Sequence, residues 1–112
     1  MMLKGFAGVI TMAGVLLAVA PAASAADATA GKDVFLKKCK TCHGEDGSGN
    51  QGMAKLLKTT ITPLDSDEVQ SKSDADIKKI ITEGKDKMKP VKDLTDADIA
   101  NVIAFVRTLK KK

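Results

Sequence analysis

Both cysteines and the only histidine of the chain stand together in Cys39-Lys40-Thr41-Cys42-His43. Two thiols three positions apart can add to the two vinyl groups of a haem, and the adjacent imidazole can then reach the iron. Other uses of a C-x-x-C pair fit less well. A thioredoxin-like exchange site follows a strand in a βαβ pattern, and no such pattern surrounds this one. A zinc knuckle would need Asp or Glu to complete its ligand set, because no further Cys or His exists. The motif therefore predicts covalent haem attachment at Cys39 and Cys42, with His43 on the iron.

The opposite face of the iron is left to Met, Lys, water or nothing. Of the five methionines, Met1, Met2 and Met12 lie in an N-terminal segment read below as removed, which leaves Met53 and Met88. Met53 shares an i, i+3, i+4 apolar pattern with Leu56 and Leu57 and reads as packing. Met88 sits in the irregular stretch Lys85-Asp86-Lys87-Met88-Lys89-Pro90, where an isolated thioether has little core to fill. Met88 is the favoured second ligand.

The elements that must position these residues read as short helices separated by Gly-rich and polar loops, an all-α chain. A first helix over 28–40 carries Val34, Phe35 and Leu36 into the motif, and the turn-rich run 44–50 follows it. A short helix holds Met53, Leu56 and Leu57. A third has Ser73 and Asp76 as a capping box, the face Ile77, Ile80 and Ile81, and Gly84 as its stop. The last starts at Thr95, with Asp98 three residues on, and buries Ile99, Val102, Ile103, Val106 and Leu109. Its terminal lysines suit the negative helix end.

Residues 1–25 read as a cleaved signal peptide: one charge at Lys4, the apolar run 5–20, and Ala23-Ser24-Ala25 as a small-x-small cleavage site. An uncleaved membrane anchor is the alternative, since residues 5–26 carry no charge over 22 positions. Cleavage would leave one domain over 26–112, of 87 residues, which is marginal on its own core. Phe35 and Phe105 are its only aromatics, and a haem would supply the missing apolar bulk. Its 17 basic against 14 acidic residues, without interleaved aromatics, give no nucleic-acid signature.

Over 31–109 the chain resembles small class I c-type cytochromes. The resemblance rests on Gly31, Phe35, Cys39, Cys42 and His43 in G-x-x-x-F-x-x-x-C-x-x-C-H, on 84–88, and on Asp98 to Leu109 as D-I-A-x-V-I-A-F-V-R-x-L. It implies the class I cytochrome c fold, its N- and C-terminal helices crossing where Gly31 lets Phe105 pack close. It also implies one haem c held by Cys39 and Cys42, with His43 and Met88 as axial ligands. Because this chain has no Trp or Tyr, Lys or Thr side chains and backbone N–H groups must meet the haem propionates. Pro63 is the candidate carbonyl for orienting the His43 ring.

With both axial positions filled, these readings point to a non-enzymatic, monomeric electron carrier of the periplasm. No part of the mature chain would stay in the membrane. The carrier would cycle between ferrous and ferric states and dock redox proteins through an acidic patch on the partner. Lys37, Lys38, Lys40, Lys85, Lys87, Lys89 and Lys92 flank the motif and Met88 and would form the basic counterpart. The rival reading is a gas-binding or peroxidase-like haem protein in which Met88 is labile.

Overall fold

The computed structural model describes residues 26–111, so the signal peptide expected over 1–25 lies outside the described residues. Six helices follow one another: α1 Ala28–Lys38, α2 Lys40–His43, α3 Gln51–Leu57, α4 Asp67–Gln70, α5 Asp74–Glu83 and α6 Asp96–Thr108. The described residues contain no strand beyond one isolated bridge, between Lys85 and Met88. None of their helices is long and apolar enough to cross a membrane.

The helix ends are written in local side-chain chemistry. Asp27 caps α1 by accepting from the amides of Thr29 (2.8 Å) and Ala30 (3.2 Å). Thr95 and Asp98 form a complete capping box at the start of α6. The box expected on α5 is half made: Ser73 Oγ accepts from the Asp76 amide (3.0 Å), without the return bond. The first helix is shorter than expected, because it stops at Lys38. Cys39 is its C-cap, with φ stretched to −117°, and α2 restarts as a single turn. The single turn α4, capped by Ser66, has too few residues for a periodic signal.

α1 and α6 make the most extensive helix pair, and α5 packs on α6 from another side. Gly31 allows this crossing. A methyl group there would run into the Asn101 carbonyl, and would lie 2.9 Å from the Val102 amide nitrogen. The Asp27 amide donates to Asn101 Oδ1 (2.8 Å) across the same junction, and the rings of Phe35 and Phe105 meet one turn on at 5.0 Å between centroids. Phe35, Ile77, Ile81, Ile99, Val102, Ile103 and Phe105 form the core cluster.

One polar junction completes the frame. Arg107 donates to the carbonyls of Gln70 (3.0 Å) and Lys72 (2.6 Å) and to Asp74 Oδ1 (2.8 Å), while Gln70 Nε2 donates to the carbonyls of Leu64 (2.8 Å) and Val106 (2.9 Å). These bonds tie the segment 64–74 to the last helix at fixed points.

Candidate functional site

The helices leave a cavity of about 280 Å³ between them, and Cys39, Cys42, His43 and Met88 all stand on its wall. Phe35, Ile77, Ile81 and Val102 carry the apolar core up to the same space. The missing bulk inferred from the sequence therefore corresponds to a real gap in the packing.

The motif is positioned by main-chain bonds. The amides of Cys42 (3.3 Å) and His43 (3.0 Å) both donate to the Cys39 carbonyl, which puts the two thiols and the ring on successive positions of one turn. Gly44, at φ 79°, ends that turn. The Asn50 amide donates to the Cys42 carbonyl (2.8 Å) and the Gly49 amide to that of His43 (2.7 Å). Asn50 also donates through Nδ2 to the Thr41 carbonyl (3.1 Å) and caps α3 with its Oδ1. The sequence reading placed Asn50 only in a loop, although an Asn just before a helix is itself an N-cap signal.

Met88 is held as firmly. Lys85 and Met88 exchange amide-to-carbonyl hydrogen bonds of 2.9 and 2.8 Å, making a closed turn in which Asp86 takes φ 53°. The Val91 amide donates to the Ile81 carbonyl (2.8 Å) just beyond it. Gly84 is required beneath this turn: at φ 80° its hypothetical Cβ would lie 2.6 Å from the Met88 carbonyl and 2.9 Å from Pro90 Cδ. Met53 does not line the cavity. Its expected apolar face is split: Leu56 is 71% exposed, Leu57 lines the cavity, Met53 is half-buried, and Ala54 is the residue of α3 that is buried.

Burial pushes the Cys39 thiol up to about 11, with the charge of Cys42 adding to the effect. A thiol-exchange site works through thiolate, and the shift at Cys39 runs the other way. Among the described residues no group of three or more His, Cys, Asp or Glu side chains is gathered as a zinc knuckle would require. Burial also holds His43 below the usual imidazole range, in the neutral form that ligates metals. Its Nδ1 is buried with no hydrogen-bond partner, and the Pro63 carbonyl proposed for it accepts from the Ser66 amide (3.2 Å) instead. An apolar cavity with two thiols, an unpartnered neutral imidazole and a thioether on its walls fits a haem.

The family model for cytochrome c oxidase, cbb3-type, subunit III matches residues 26–106. The chain belongs to this family of c-type cytochromes. A solved structure, the KustC0563 c-type cytochrome, is similar at 33% identity with a TM-score of 0.62, over 72% of this chain and 98% of that one. No curated protein matches. The all-α cytochrome c fold expected from the motif pattern is the fold observed. Membership implies covalently bound haem c, and haem-based electron transfer is the general function of such domains.

Proposed function

We propose that this cytochrome is an exported, monohaem electron carrier of the periplasm, not an enzyme. The observation that carries the reading is the convergence of Cys39, Cys42, His43 and Met88 on one apolar cavity. Cys39 and Cys42, the chain's only cysteines, would hold one haem c by thioether bonds, and His43 and Met88 would be its axial ligands. The bound haem supplies a one-electron ferrous/ferric couple. The apolar part of the wall would disfavour the extra ferric charge, and the Met88 thioether would favour the ferrous state. The closed turn around Met88 supports a filled sixth position over the gas-binding or peroxidase-like alternative.

The cytochrome would act as a monomer that meets acidic patches on its redox partners. Lys37, Lys38, Lys40, Lys85, Lys87, Lys89 and Lys92 are all exposed, and none is in an ion pair among the described residues. Such encounters slow as salt rises.

The test is the visible spectrum of periplasmic material and of two variants. A covalent, low-spin haem is expected, with no carbon monoxide binding to the reduced protein at neutral pH. Met88→Ala should keep the haem and lose low-spin character, whereas Met53→Leu should be nearly silent. Carbon monoxide binding to the unaltered protein, or a silent Met88→Ala, refutes the carrier assignment.

A further inference from the structure

One wall of the cavity is polar in a way that the C-x-x-C-H motif and Met88 do not use. After α3 the chain runs through Thr59, Thr60, Ile61 and Thr62, all lining the cavity. The stretch is anchored at both ends: the Thr59 amide donates to the Ala54 carbonyl (3.0 Å) and the Leu64 amide to that of Gly47 (2.9 Å). Between these anchors, the amides of Thr60, Ile61 and Thr62 have no protein acceptor among the described residues. Neither do the hydroxyls of Thr59, Thr60 and Thr62, whereas those of Thr82 and Thr108 donate to nearby carbonyls. Thr60 is exposed and Thr59, Ile61 and Thr62 are half-buried, so these donors stand at the mouth of the cavity, open to water or to an anion.

A cation stands on the same wall. Lys72 is half-buried, and its backbone is fixed by the Arg107 bond to its carbonyl (2.6 Å). Its ammonium makes no ion pair among the described residues. The chain's single arginine is engaged at Asp74 and does not line the cavity.

The other charged or titratable groups on the cavity wall are His43, Cys39 and Cys42 at the motif, Glu68 on α4, and Lys85, Asp86 and Lys87 on the Met88 turn. The turn is a poor carboxylate receptor. Asp86 stands between its two lysines, and the amides of Lys85 and Met88 already donate to each other's carbonyls.

We propose that Thr59, Thr60 and Thr62, with the amides of 60–62 and the Lys72 ammonium, hold the two propionate carboxylates of the haem. The assignment rests on the covalent-haem reading above. Hydroxyl, amide and ammonium donors all favour the ionised carboxylate and so lower its ionisation midpoint.

The test uses the haem-loaded protein and follows its reduction potential from mildly acid to mildly alkaline pH, where propionate ionisation bends the curve. Replacing Thr59, Thr60 and Thr62 together by Val removes three hydroxyls at nearly constant shape, and should move the bend up by about one pH unit, tenfold in the ionisation constant. Lys72→Gln should move it in the same direction. Thr60→Ser should leave it in place, as should Lys85→Gln combined with Lys87→Gln. If the triple variant does not take up haem, Thr60→Val and Lys72→Gln read the same shift singly. A bend unmoved in every variant of the strip and Lys72, or moved by the turn lysines instead, overturns the assignment. Failure of the unaltered protein to show covalent haem would overturn the proposed function rather than the propionate site.

Discussion

Gly31→Ala tests the helix crossing on which the cavity depends. The added methyl would meet the backbone of Asn101 and Val102, not a side chain that could swing away, so α1 and α6 must move apart. A gap of about 1 Å forfeits a quarter to a half of the dispersion energy at each contact across the interface. Phe35 and Val102, each 1% exposed, lie in that interface. Overpacking of this kind costs about 3 kcal/mol at the upper end of its usual range. Replacing a helical glycine by alanine returns about 1 kcal/mol of propensity, leaving a net loss of about 2 kcal/mol. For a domain of this size that is a fall in melting temperature of roughly 8–16 °C. The assay is thermal unfolding followed by far-ultraviolet circular dichroism, at equal haem loading, with Gly52→Ala as the control. There the nearest atom to the new methyl is Asn50 Oδ1 at 3.3 Å, so the same exchange should be neutral or slightly stabilising. A Gly31→Ala protein within about 0.5 kcal/mol of the parent would refute the close-crossing argument.

Gly84→Ala should cost about 1–3 kcal/mol from its backbone conformation alone, φ 80° with ψ 170°, and should push on the Met88 carbonyl, so the low-spin fraction of the loaded protein is expected to fall with its stability. Asn50→Ala should lose about 1–2 kcal/mol in guanidinium unfolding, because one side chain caps α3 and ties down Thr41; Asn50→Asp, which keeps the cap, should lose less. The Ser48 hydroxyl and amide hold the Asp46 carboxyl below its ordinary range, so this pairing is complete above the unfolded-state pKa and is lost as pH falls through the lower folded value. Ser48→Ala should move the Asp46 midpoint upward in a carboxyl-carbon NMR titration; an unmoved midpoint would show that the hydroxyl is not the cause.

What could be read in the sequence followed from short-range chemistry. The Thr95–Asp98 box and the Gly84 stop depend on residues within one turn and stand as expected in the structure, and the equally local Cys39, Cys42 and His43 line one cavity. The apolar periodicity of α6 was strong enough to name four of its five buried residues; Phe105 entered only through the family resemblance, although it stands three residues after Val102 on the same helical spacing. What escaped depends on long-range partners. Periodicity gives Met53, Leu56 and Leu57 a common face without saying whether anything packs on it, and Leu56 turned out to face solvent. The grip of Arg107 on Gln70, Lys72 and Asp74 joins positions more than thirty residues apart, which no local pattern encodes.

The α1–α6 crossing also orders events during synthesis. The Asp27 amide and its Asn101 acceptor are 74 residues apart, so the first helix must wait for almost the whole chain before its partner exists. Domains emerge N-terminal end first. The thiols at positions 39 and 42 are therefore made well before residues 99–106, which complete the wall behind them. Until the last helix closes on the first, the core around the motif lacks Val102, Ile103 and Phe105, and the cysteines reach the half-buried positions of the finished fold only when that core is complete. A chain truncated before α6 would keep the sites of cofactor attachment but lose Val102 and Val106 from the wall and the partner that α1 packs on.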